Sequence, residues 1–408
     1  MCATAMMASC AKDKTIALDN GADGTPEEII LGAGQYLSAE VEQGQPMKAA
    51  SRGIGSVGDL AATNKNNWNG ETVYVYGIVS KLIGDEQSTI TGDAQFAING
   101  EAATAPAGTP GATVTSTLQW AKAEATADKH FYYDGNNLYD FYGCHVDDAA
   151  EATAMKIPTG TDLATNGFSV PVEINGTRDL MVAMPDKSKD IEGNLEVTTT
   201  DNLYSAWSSR RGVKPNLVFK HVLTRLTFKA KCGDASAPAQ PVKITSIQVT
   251  GAISDGTLTV IPANSGTQGF VAGTTTANFA LMAPASAPDK SKELETFLGK
   301  EIANTGDAFV QIGVPMMLVP GGEYTIVITT EQDMNNNSTI DANEKGTITK
   351  KITYTGGFVA GTNYNINITV YGLQEIAVNA TLTAWNEAGE DIEIDPDDIN
   401  PPTPSPAP

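Results

Sequence analysis

Between residues 376 and 384 every second side chain is apolar: Ile376, Val378, Ala380, Leu382 and Ala384, with Ala377, Asn379, Thr381 and Thr383 between them. Side chains of an extended chain point alternately to opposite faces, so this stretch carries one small apolar face. The same period of two returns in short runs along the chain, among them ETVYVYGIVSKL (71–82), GFSVPVEI (167–174), VKITSIQVTG (242–251), GEYTIVITT (322–330) and GTITKKITYT (346–355). Turn-forming Gly, Asn, Asp and Pro separate these runs, and long runs of helical period are missing. Such a chain is all-β and folds into β-sandwiches, each strand burying a face against the opposite sheet. One segment reads otherwise. DKSKELETFLGKEIAN (289–304) has an acidic first half and Lys300 near its end, which predicts a short helix. At most one or two short helices are expected in all.

The 408 residues suffice for two or three cores, and the spacing of strands and turns divides them. Residues 53–213 and 214–395 read as two β-sandwich domains. Ahead of them, residues 11–52 hold one predicted strand at 28–34 within EEIILGAGQYL, then GQPMKAASRGIGSVGD, a Gly/Ser/Ala-rich linker. The chain has five arginines, Arg52, Arg178, Arg210, Arg211 and Arg225, and Arg52–Gly53 sits alone in that linker. Exposed linkers are where proteases cut. Residues 1–10, MCATAMMASC, place small residues before Cys10 as a bacterial lipobox does, so Cys10 is the expected site of lipid attachment. The basic stretch that opens a signal peptide is missing, and the translation start is expected upstream. Six prolines make residues 396–408 an extended acidic tail that cannot join a central strand.

A net charge of −22 argues against nucleic acid and anionic membrane surfaces as partners, since both demand a basic footprint. Membrane contact is expected only through the lipid of a precursor. Catalysis finds no support in the sequence. His130, His145 and His221 lie far apart, no CxxC, HExxH or GxSxG occurs, and no cofactor is required. His221, in an apolar strand pattern, reads as a structural histidine. Cys144 and Cys232 read as two buried free thiols. Phe131, Tyr132, Tyr133, Tyr139, Phe141 and Tyr142 either form a sugar-binding platform or, more simply, line core strands beside a turn at 135–137.

One loop has ligand spacing. In DMNNNSTIDANE, Asp333, Asn335, Asn337, Thr339, Asp341 and Glu344 stand at positions 1, 3, 5, 7, 9 and 12, the order of oxygen ligands in an EF-hand loop for calcium. Ser338 replaces the glycine of the sharp turn, and the flanks read as strands. The other reading is a polar hairpin tip rich in turn-forming residues.

Taken in order, the segment ending at Cys10, MKAASRG around Arg52, VYVYGI (73–78), NNLYDFYG (136–143), DLMVAM (179–184), NLVFKHVLTRLTF (216–228), FVAGTNYNINITV (358–370) and VNATLTAW (378–385) resemble the fimbrillins of Bacteroidetes, subunits of type V pili. The resemblance implies two tandem transthyretin-like β-sandwich domains and a lipid-anchored precursor carried to the outer membrane and cell surface. It also implies an arginine-specific protease that cuts after Arg52 and removes the leader with its first strand. A C-terminal strand from another fimbrial subunit then fills the opened groove, which makes residues 376–395 the region of the donor. The proline-rich tail departs from a shaft subunit. It keeps in play a monomeric, tip or anchor lipoprotein that binds glycan or protein.

Overall fold

The computed structural model of the chain describes residues 32–35, 71–80, 95–105, 116–120, 138–147, 154–183, 216–233, 240–263, 268–284, 294–302, 308–373 and 376–384. Among them strands dominate. The helical elements are one turn at Leu163–Asn166 and a 3-10 turn at Ala342–Glu344. Asp162 caps the first by accepting from the Thr165 N–H at 3.3 Å. No helix among the described residues is long and apolar enough to cross a membrane.

The first sheet has Gln95–Ala105, Glu71–Ser80, Leu138–Val146, Leu180–Ala183 and Asn216–His221 side by side, all antiparallel. Short strands close its two ends. Gln119–Trp120 pairs with Ala103–Thr104, while Ser116–Thr117 pairs with Gly32–Gln35, which itself lies along Asn216–His221. Only Leu118 separates the two short strands, so the sheet curls until its ends meet. Both faces are buried. Val73, Val75, Phe141, Met181, Ala183, Leu217 and Phe219 line one. Tyr74, Tyr76, Tyr142, Cys144 and Val182 line the other and share a core with Met155, Leu163, Phe168, Leu258 and Val260. Burial there pushes the Tyr76 and Tyr142 hydroxyls up, and the Cys144 thiol up to about 12, so these groups stay neutral. Cys144 is a buried free thiol as expected, whereas Cys232 is only half-buried.

The second half is a sandwich. One sheet contains Thr224–Cys232, Thr362–Val370 and Ile376–Ala384, with Val310–Gln311 and Met316–Leu318 against the first of these. The other contains Val242–Ile253, Gly321–Glu331 and Lys345–Phe358, with Thr276–Ala280 and Lys300–Ile302 at its far side. Leu226, Phe228, Ile366 and Ile368 meet Ile247, Val249, Ile326, Ile328 and Ile352 in one core. A third, small sheet crosses between the halves: Phe168–Glu173 pairs with Asp255–Ile261, which pairs with Gly269–Ala272. Pro171 is tolerated there because its strand is at the edge. Asn216–His221, just past the boundary read from the sequence at 213/214, completes the first sheet.

Two expectations are corrected. The helix predicted over 289–304 is absent from its described part, where Leu294–Thr296 and Lys300–Ile302 are strands. Gly299, at φ +96°, breaks the run, and Ile302 is drawn into the core opposite Val242, so tertiary pairing overrides the local composition. The run RDLMVAM (178–184) reads as a strand from its first residue, yet Arg178 lies ahead of the strand Leu180–Ala183, after a bend. The Asn175 side chain fixes that bend by accepting from the Thr177 and Arg178 N–H groups at 2.9 and 3.0 Å.

Gly100 shows how tightly the first sheet is fitted. Val75 faces Glu101 and Tyr76 faces Asn99, leaving Gly100 as the extra residue of a bulge at φ +59°. A Cβ there would lie 2.0 Å from the Met155 carbonyl oxygen, which also accepts the Tyr76 hydroxyl at 2.8 Å. Gly100→Ala is therefore expected to destabilise the protein by about 1–3 kcal/mol or more, measured by chemical denaturation. A variant as stable as the parent would show that the bulge relaxes freely.

Candidate strand-exchange site

The strand Asn216–His221 has a neighbour on each side. Leu180–Ala183 runs antiparallel to it, with Ala183 opposite Phe219 and Met181 opposite His221. On the other side Gly32–Gln35 runs parallel, with Gly32, Ala33, Gly34 and Gln35 opposite Asn216, Leu217, Val218 and Phe219. Part of the predicted strand at 28–34 thus appears, shifted to 32–35, and residues 28–31 lie outside the described residues. This short strand is flanked on both sides, since Ser116–Thr117 pairs with Gly32 and Ala33 from beyond.

The sequence dictates the shape of this wall. Leu217, Phe219 and His221 alternate toward one face and are all buried. Across the sheet Phe219 follows the row Gly143, Ala183, two residues small enough to admit its ring. A Cβ on Gly143 would sit 3.0 Å from Phe219 Cζ and 3.3 Å from Leu217 Cδ1, so glycine lets both side chains lie flat beside the slot. His221 Nδ1 donates to the Asp179 carboxylate at 2.9–3.0 Å, both side chains being buried, and pins the end of the strand. His221 is thus structural, as its pattern implied. His145, in register with Met181 and His221, donates from Nδ1 to the Thr72 carbonyl at 2.8 Å.

The apolar strand at the other end of the chain, Ile376–Ala384, is paired with its own chain. Nine antiparallel pairs join it to Thr362–Val370, from Val370 opposite Ile376 to Thr362 opposite Ala384. Ile376 and Ala380 are buried in the core, and Val378 packs against it. Of the predicted apolar row these three are thus placed together on the inner face, while the side chains of Leu382 and Ala384 lie outside the described residues. Among the described residues the strand is the edge of its sheet, with one partner. It carries no charged residue, in contrast to the edge strand Lys345–Phe358, whose Lys345, Lys350 and Lys351 are exposed. Exposed lysines discourage pairing at an edge, and Ile376–Ala384 has no such guard. Ala380→Asp should place an unpaired charge in the core and lower the stability of the uncut protein by about 3–5 kcal/mol. Asn379→Asp, on the half-buried face, should cost less than about 1 kcal/mol. Equal melting temperatures for the two variants would put Ala380 outside the core.

The loop with calcium spacing closes on itself. Asp333 accepts from the Asn337 and Ser338 N–H groups at 3.1 and 2.7 Å, Asn335 from Asn337 at 3.0 Å, and Asn337 from Thr339 at 2.7 Å. Asn335 Nδ2 reaches Asp341 at 3.4 Å. Glu344, only 1 % exposed, takes the Met334, Asn335 and Asp341 N–H groups at 2.8, 3.2 and 2.9 Å. Ser338 has the positive φ, +62°, that the missing glycine would have supplied. Among the described residues no three His, Cys, Asp or Glu side chains are grouped to hold a metal ion. Glu344→Ala should leave three part-buried backbone N–H groups without their acceptor and destabilise the protein by about 1–2 kcal/mol even in EDTA. A loss of stability seen only when calcium is present would make the carboxylate a ligand instead.

Cys10, Arg52 and Gly53 lie outside the described residues, as do Phe131, Tyr132 and Tyr133. Phe141 and Tyr142 are 0 and 1 % exposed, so they belong to the core and offer no sugar platform. What the sequence pattern left undecided was the second wall of the slot, Ser116–Thr117. The β-branched run Thr113–Val114–Thr115 ahead of it is the signal that points to a strand.

A crystal structure of a putative cell adhesion protein from Bacteroides uniformis is 13 % identical, covering 79 % of this chain and 96 % of that one at a TM-score of 0.41. A second, from Bacteroides ovatus, is 11 % identical over 88 % and 98 % of the two chains at 0.42. A fimbrilin from Porphyromonas gingivalis is 9 % identical over 90 % and 99 % at 0.35. No curated protein sequence matches. A model of the family described as fimbrillin-like matches residues 84–385, well over half of the sequence. This all-β chain belongs to the fimbrillin-like family.

Proposed function

We propose that the protein is a structural subunit of a surface fimbria, made as a lipoprotein anchored through Cys10 and polymerised by strand exchange after cleavage between Arg52 and Gly53. The observation that carries the reading is the place of Gly32–Gln35. The segment that such a cut would detach is a strand of the first sheet, lying between Asn216–Phe219 and Ser116–Thr117. Its loss would leave two rows of backbone groups unpaired along the buried Leu217 and Phe219, and an exposed sheet edge seeks a strand. An extended C-terminal segment of another subunit, drawn from residues 376–395, fits that need. Donating Ile376–Ala384 breaks one ladder among the described residues, that to Thr362–Val370. The work is structural, and no catalytic step is required of the chain.

Two of the other arginines are poor sites for the cut, which leaves Arg210 and Arg211, outside the described residues, as the rivals of Arg52. Arg225 is buried within Thr224–Cys232, and Arg178 is held in the Asn175 turn with Glu173 3.7 Å away. Backbone held in this way resists proteases. Limited digestion of the full chain with an arginine-specific protease is therefore expected to yield Gly53 as the new N-terminus and then SDS-resistant ladders. First cleavage at Arg210 or Arg211 with Arg52 intact, or cleavage at Arg52 that yields only monomer, would count against the reading.

A further inference from the structure

The strand that fills the slot is poorly made for holding it. Gly32–Gln35 reads Gly-Ala-Gly-Gln. Glycine in a strand loses the most backbone freedom and brings no side chain to pack, and alanine is disfavoured in strands as well. The two glycines fall at alternate positions, so one face of this strand is bare. Among the described residues its ladder to Asn216–Phe219 has four pairs in the parallel arrangement, which is the less stable one per residue, and its ladder to Ser116–Thr117 has two.

The walls do not depend on it. Asn216–His221 is held by its antiparallel pairing with Leu180–Ala183, by buried Leu217 and Phe219, and by the Asp179–His221 pair. Ser116–Thr117 is held through Leu118, 5 % exposed, and through Gln119–Trp120 on Ala103–Thr104. The slot therefore keeps both sides when its occupant leaves.

We propose that Gly32–Gln35 is a deliberately weak placeholder, retained only while the chain tethers it. A tether makes pairing intramolecular, with an effective concentration that a free peptide does not reach, and one cut removes that advantage. This rests on the fimbrial reading above and adds to it. The rate at which the slot empties is set by the composition of residues 32–35, neither by the protease nor by an incoming strand prising the leader out.

The test uses the full-length chain cut by an arginine-specific protease. Leader fragment co-eluting with the body in gel filtration is followed by mass spectrometry, alongside SDS-resistant polymer. With Gly32→Val and Gly34→Val together, leader retention should lengthen on the order of tenfold or more, with polymer appearing correspondingly later. An unchanged or raised melting temperature of the uncut variant shows that it folds. Ala33→Gly, which asks nothing of the surrounding packing, should release its leader faster than the parent. Equal release from parent, valine variant and Ala33→Gly would overturn the placeholder. Composition-dependent release with no polymer from any of them would keep the placeholder and defeat the fimbrial reading.

Discussion

A buried strand has two rows of backbone donors and acceptors, and both rows need partners. In this molecule that demand falls hardest on Asn216–His221. Its Leu217, Phe219 and His221 side chains are committed to the core, so it cannot move out to water, and one of its rows is satisfied by four residues from far upstream. The closing segment around Leu118 and the strand itself, with Phe219 packed beside Gly143, stand on either side of the residues that fill this second row. Gly32–Gln35 is thus part of the fold and more than an appendage of it.

The C-terminal edge shows the same demand from the other side. Ile376–Ala384 buries Ile376 and Ala380 yet, among the described residues, has a partner on one side only. Lys345–Phe358, an edge of the facing sheet, is studded with lysines, while this strand is free of charge. Two neighbouring edges of one sandwich, one in each sheet, thus differ in the charges that discourage pairing with a further strand.

Much of the architecture was legible in the alternation of residues. Glu71–Ser80, Val242–Ile253, Gly321–Glu331 and Lys345–Phe358 fall close to where the period of two places them, because each buries one face and solvates or pairs the other. The failures have physical causes. Leu294–Thr296 and Lys300–Ile302 have helix-forming composition, but a single buried Ile302 and the ladder to Val242–Ile244 outweigh it. The neighbours of Gly32–Gln35 could not be read at all. Parallel pairing to a strand some 180 residues away leaves no local trace, and the two-residue wall at Ser116–Thr117 is too short to show a period. The Asp333–Glu344 spacing was visible, but the sequence does not reveal that Glu344 is turned inward to hold backbone N–H groups.

The small sheet that joins Phe168–Glu173 to Asp255–Ile261 bears on the order in which the chain can fold. A polypeptide that emerges N-terminus first cannot finish its first sheet until His221 is available. Nor can it cover that sheet's tyrosine-lined face until Ile261 has arrived, since Leu258 and Val260 share that core. Such long-range closure is slow, and it leaves apolar edges open meanwhile. The two halves share a sheet, so neither can fold to completion while the other is still on its way.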